Sequence, residues 1–281
     1  MVTRPRVTPV RAVLGALALG VVVVAGAGAL AAGTSDMRVV WADEFGGEAG
    51  DLPDAGKWVM ETIGQSSGNG ELQCYTGEPD NAATDGEGHL VITAHEDIGH
   101  YCSDGSRNDY TSARLNTLAR HDWKHGRFEI RAQVPDGVGT WPAFWSLGAD
   151  YPDVGWPESG ELDVMEVIGA DIHRLIGTAH FPDDQGERAF LQAARDVAQP
   201  LSEDFHVYAM EWDGDEIRWS LDGEEYGSVS REDVEAAGDW VFDDEFYLIL
   251  NLAVGGVLGG PVGIDTEFPQ RLVVDYVRVY Q

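Results

Sequence analysis

Lysine is nearly absent from this 281-residue chain. Only Lys57 and Lys124 occur, and 18 basic residues face 49 acidic ones for a formal net charge of −31. Such a surface repels nucleic acid and anionic membranes and argues, more weakly, against sulfated polysaccharides as ligands. Cysteine is as scarce: Cys74 and Cys102 stand alone, with no CxxC or Cys/His cluster of the kind that holds zinc. Linkers, repeats and low-complexity segments are missing, which leaves a single domain. Helical periodicity is nearly missing too; only "REDVEAAGDW" and "RAFLQAARDV" read as short helices.

One long apolar run is present. Residues 12–32 carry no charge, follow Arg4, Arg6 and Arg11, and contain "ALA" at 29–31. This reads as a secretory signal peptide over residues 1–31, with a mature domain at 32–281. An uncleaved membrane anchor is the alternative. Loss of the three arginines would take the charge from −31 to −34. The expected protein is secreted, extracellular, free of the membrane after processing, and a monomer. In that compartment the pair Cys74 and Cys102 reads as a disulfide.

The remainder is a succession of short alternating runs such as "HLVITAH", "GRFEIRAQV", "EIRWSLDG" and "LVVDYVRVY", punctuated by Gly, Asp, Asn and Pro. Period-two alternation marks strands, and Asp222-Gly223 marks a hairpin turn. Many short strands in one domain imply an all-β sandwich or barrel. Within "WPESGELDVMEVIG" three acids, Glu161, Asp163 and Glu166, interleave with Leu, Val, Met and Ile. On a regular strand Glu161 and Asp163 share a face and Glu166 falls on the other. One extra residue, a β-bulge at Val164-Met165, returns all three to one face. Paired carboxylates flanking a glycosidic bond are the machinery of a glycosidase, and about 5–5.5 Å between them gives retention of configuration. A solvated acidic face is the bland alternative, but it would not interleave with Leu, Val and Ile.

That strand resembles the catalytic strand of laminarinase-like enzymes of glycoside hydrolase family 16. The likeness continues in order through "VVWADEF", "GNGELQCYT", "YTSARLNT", "GRFEIRAQVPDGVGTWPAFWSLG", "GTAHF", "FHVYAMEWDGDEIRWSLDG", "FYLILNLAVGG" and "FPQRLVVDYVRVYQ". It implies a jelly-roll β-sandwich of two curved antiparallel sheets with a concave glycan-binding cleft. It further implies an endo-β-1,3-glucanase, with Glu161 as nucleophile, Asp163 as its assistant and Glu166 as acid/base. The E-x-D-x-x-E spacing matches the bulged branch that includes laminarinases. Mixed-linkage glucan or a galactan such as agar are the rival substrates, and a non-catalytic glucan-binding protein is the rival class.

Trp141 and Trp145, four apart in "TWPAFW", would offer aromatic faces to sugar rings, with core packing as the alternative. Trp156, just before the acidic strand, could cap a subsite. The resemblance places Asn69, Glu71 and Arg114 in glycan-contacting stretches and His180 near the acid/base. It departs near the chain end: "VGGVLGGPVG" stands where many laminarinases read "GGNWPG", so an aromatic contact is missing. No catalytic cofactor is expected. A structural Ca²⁺ is implied at the carbonyls of Glu44 and Gly88 with Asp275, oxygen donors suited to that ion.

Overall fold

The computed structural model describes residues 37–64 and 69–281; the expected signal peptide lies outside them. In chain order the strands are β1 (Val39–Asp43), β2 (Val59–Met60), β3 (Gln73–Tyr75), β4 (Ala82–Thr84), β5 (Leu90–Tyr101) and β6 (Arg107–Ser112). Then come β7 (Arg114–Asn116), β8 (Gly126–Gln133), β9 (Thr140–Gly148), the short helix α1 (Tyr151–Val154), β10 (Glu161–Val167), β11 (Arg174–Pro182) and β12 (Arg188–Asp196). The chain closes with β13 (His206–Trp212), β14 (Glu216–Leu221), β15 (Glu224–Ser230), α2 (Arg231–Glu235), β16 (Phe246–Val254), α3 (Gly256–Gly259) and β17 (Gln270–Tyr280).

Two sheets share these strands. The larger runs β15-β14-β13-β8-β17-β5-β6-β3, with β1 added beside β17 and β4 beside β5; the smaller runs β12-β11-β10-β9-β16-β7-β2. All pairings are antiparallel except β3 with β6. The meander β9 to β12 builds four of the seven strands of the smaller sheet, the chain crosses to lay β13 to β15 in the larger one, and β16 returns to pair with β9. This is the jelly-roll sandwich implied by the resemblance.

Alternation in the sequence becomes the core. In β14, Ile217, Trp219 and Leu221 point inward, and Trp212, Trp219, Tyr208, Phe128, Phe144 and Phe246 are among the largest fully buried side chains. A fully buried side chain of this size contributes roughly 1.5–3 kcal/mol over its exposed state. β16 is buried along its whole length. One face joins the main core, while Tyr247 and Ile249 on the other pack with Leu147 under Trp145.

Local signals also hold at the joints. Asp222 and Gly223 both take positive φ, 51° and 80°, between β14 and β15, as the two-residue hairpin requires. Ser230 caps α2 in a reciprocal capping box with Asp233. Cys74 and Cys102 are disulfide-bonded, joining the edge strand β3 to the turn after β5. One element differs from expectation. "RAFLQAARDV" is strand β12, not a helix, paired with β11 at nine successive positions from Arg174↔Asp196 to Pro182↔Arg188. Ala, Leu, Gln and Arg favour a helix locally. Burial of Leu191 and Ala193 against the core overrides that preference. Among the described residues no helix is long and apolar enough to cross a membrane.

Candidate active site

Strand β10 carries the bulge where the spacing of the acids demands it. Against β9 the register passes from Asp163↔Trp145 to Met165↔Phe144; against β11 it jumps from Asp163↔Thr178 to Glu166↔Ile176. Val164 and Met165 therefore both point into the main core, beside Leu162 and Val167. Glu161, Asp163 and Glu166 are left on the opposite face, lining a cleft of about 580 Å³.

The cleft gathers all ten acids, aromatics and polar residues expected from the sequence. Trp141 donates its indole N–H to Glu166 Oε1 at 3.0 Å. Trp145 donates to Asn251 Oδ1 at 2.7 Å, and the Arg114 guanidinium lies 4.9 Å from the centre of the Trp145 ring. Neither tryptophan is lost to the core; both are half-buried. Trp156 is 40% exposed, with its ring 6.2 Å from that of His180. Asn69 and Glu71 line the cleft beside Gly256 and Trp141. Glu71 accepts hydrogen bonds from Asn69, Gln73 and Tyr75, and Asn251 donates in turn to Tyr75. Glu71 thus braces the wall of the cleft through a network that reaches Trp145.

His180 stands directly across from Glu161 in the β10–β11 pairing. Its Nε2 lies 3.2 Å from Asp163 Oδ2 and 3.6 Å from Glu161 Oε1. It therefore faces the Glu161–Asp163 end of the triad rather than Glu166. The approach to Asp163 is close but misaligned, since Oδ2 has no hydrogen-bond donor. Burial pushes His180 below the ordinary imidazole range, which favours its neutral form, while Glu161 pulls the other way.

The three carboxyls are pushed upward, each to about 8. Burial is the main cause for all three, and the Asp163 charge adds to it for Glu161 and Glu166. Asp163 and Glu166 are only 3% and 8% exposed. Against that rise, His180 favours the charge of both glutamates, the Trp141 N–H favours that of Glu166, and Glu161 keeps 19% of its side chain in solvent. The set therefore titrates as one unit, and its carboxyls do not all ionise together near neutral pH. Glu161 and Arg188 work against that rise for Asp163.

Two features were not foreseen. Arg188 and Phe190 form a shelf on β12, with the guanidinium 5.0 Å from the Phe190 ring centre and 5.9 Å from that of Trp156. Reading β12 as a helix hid them, although Phe190 and Gln192 alternate with Leu191 and Ala193 as strand residues do. Asn251 and Tyr75 also line the cleft, and no local motif marks either. The tryptophan-free segment becomes α3 on the rim, where Val257 is 74% exposed and Leu258 lines the cleft. The calcium donors fit less well. Asp275 Oδ2 is paired with Arg131 Nη1 at 2.5 Å, and the Glu44 side chain is held by Arg278. That leaves one Asp275 oxygen and the two carbonyls for an ion, too few for calcium without added waters.

A β-sandwich with three buried carboxyls on the floor of an aromatic-walled cleft defines a polysaccharide-processing class of protein. The comparisons agree. The family model "Glycosyl hydrolases family 16" matches residues 69–276. A beta-glucanase from Rhodothermus marinus is 43% identical over 252 residues, 87% of this chain and 85% of its own. A glucan endo-1,3-beta-glucosidase from Cryptopygus antarcticus is 39% identical over 253 residues, 85% of this chain and 90% of its own. The laminarinase catalytic domain from Thermotoga maritima MSB8 superposes with a TM-score of 0.79 at 40% identity, covering 88% of this chain and 99% of that one. This chain belongs to glycosyl hydrolases family 16.

Proposed function

We propose that the protein is an endo-acting β-1,3-glucanase that cleaves laminarin-type glucan with retention of configuration. The observation that carries this reading is the bulge in β10, which turns Glu161, Asp163 and Glu166 onto one face at the base of the cleft. Glu161, the more exposed of the two glutamates, attacks the anomeric carbon as a carboxylate. Glu166, buried and protonated, gives its proton to the departing glycosidic oxygen; then, as a carboxylate, it takes a proton from the water that releases the sugar. Trp141 fixes the Glu166 carboxyl through its indole N–H. Asp163 shares a proton with Glu161 and steadies its charge. Trp145, Trp156 and Phe190 offer flat apolar faces to pyranose rings, while Arg114, Asn69 and Asn251 orient hydroxyls.

Reducing-sugar release from laminarin, barley mixed-linkage glucan and agarose tests the substrate assignment. Laminarin should be cut fastest, and binding without release would identify a glucan-recognition protein. Proton NMR should show the β-anomer first; an α-anomer appearing first removes the retaining mechanism. The reading extends to a secreted monomer processed after Ala31. Mass spectrometry of the exported protein should then find an N-terminus near Ala32, and an intact Met1 in membranes would contradict export with cleavage.

A further inference from the structure

The triad depends on one irregularity, the bulge in β10, and that bulge is gripped from the far side of the core. Trp219 belongs to β14 in the larger sheet and is fully buried. Its indole N–H crosses the sandwich and donates to the main-chain carbonyl of Asp163 at 2.8 Å. Asp163 is the last residue in register with both neighbours before the shift. The acceptor is thus the carbonyl at the start of the bulge, between the two glutamates.

The surroundings of the ring are made to match. On β11 the single residue opposite Val164 and Met165 is Gly177. A Cβ there would come within 2.5 Å of Trp219 Cδ1 and 2.6 Å of Nε1, so even alanine would push the indole away. Trp219 pairs across β14–β15 with Gly227, where a Cβ would meet Ala193 at 2.5 Å. Gly177, Ala193 and Gly227 together make a well in which the indole fits. A buried indole N–H costs stability unless it finds an acceptor, and any inward carbonyl would serve that purpose. Only this one ties the ring to the position that decides which way Glu166 points.

We infer that Trp219 is a positioning residue for the reaction: by holding the Asp163 carbonyl and filling the well beneath Gly177, it fixes the two-residue bulge and aims Glu166 into the cleft. The inference rests on the acid role proposed for Glu166. It predicts a selective defect, because a misdirected acid matters only when the leaving group needs a proton.

Trp219→Phe keeps an aromatic ring and removes the N–H. Its kcat on laminarin should fall about 10–100-fold, part of the roughly 10²–10⁴-fold that general acid–base help supplies. KM should stay within about twofold, since the sugar-binding faces are untouched. On a laminari-oligosaccharide with a dinitrophenyl leaving group, which needs no protonation, the loss should be under about threefold. Amide hydrogen exchange over residues 161–167 should quicken relative to the rest of the smaller sheet. Equal losses on the two substrates, or unchanged exchange over 161–167, would overturn the inference. If the phenylalanine variant does not fold, benzothienylalanine placed at 219 keeps the indole outline without the N–H and must give the same two results. Wild-type activity on laminarin tests the substrate reading separately, and the exchange measurement reports on the bulge whichever glycan is cut.

Discussion

Replacing Glu166 with glutamine removes one charge from the triad while keeping its shape and an oxygen for the Trp141 N–H. Burial, with the Asp163 charge behind it, raises Glu166 from 4.5 to about 8. The folded protein therefore holds this proton over a window in which the unfolded chain has released it. Where the native state binds more protons, stability falls as pH rises, by 1.36 kcal/mol per pH unit for each proton. The penalty is absent below about pH 4, grows through the window, and is complete above pH 8, with a ceiling of roughly 5 kcal/mol for Glu166 alone. Three carboxyls share it, so the relief is smaller: about 1–3 kcal/mol at pH 8.5, or roughly 2–12 °C in melting temperature for a domain of this size. Melting curves of wild type and Glu166→Gln from pH 4 to 9 check this. The two should coincide at pH 4, and the variant should melt increasingly higher as pH rises. Parallel profiles, or a variant less stable at pH 8.5, would refute the claim that the site stores strain in buried charge. The same variant should lose activity on laminarin by at least 100-fold, an enzyme made more stable by losing its acid.

Azide should separate the two glutamates: Glu161→Ala with azide should yield the inverted glycosyl azide, and Glu166→Ala with an activated substrate the retained one. An active Glu161→Ala enzyme without added nucleophile would remove the assignment. Reduction of Cys74–Cys102, which closes a separation of 28 residues, should cost about 3–4 kcal/mol in a chain-entropy estimate; a Cys74→Ser/Cys102→Ser protein melting at the wild-type temperature would contradict it. A calcium ion at Glu44, Gly88 and Asp275 must compete with Arg131 for Asp275. If an ion is held there, excess chelator lowers the melting temperature of wild type but not of Asp275→Ala; no change in wild type excludes a stabilising ion at that place.

What the sequence disclosed, and what it hid, follows from the range of each interaction. Strands such as β8 and β14 show themselves because their faces differ every second residue, a signal that needs only neighbours in the chain. The bulge was legible for the same reason: Leu162, Val164, Met165 and Val167 must all reach the core, and only an extra residue lets Glu166 avoid it. β12 reads as a helix because its local preferences favour one, and the partner that makes it a strand, β11, is not visible in its own ten residues. With that strand went Arg188 and Phe190. Asn251 and Tyr75 are further removed, joined by one hydrogen bond between strands 176 residues apart. His180 was found by likeness, yet its orientation toward Asp163 was not, because facing a carboxylate is a matter of tenths of an ångström. Trp219 is the extreme case. Its place in "EIRWSLDG" announces a core residue and nothing more. Its bearing on the chemistry arises only when the two sheets close and its N–H meets the one carbonyl on which the phase of the acids depends.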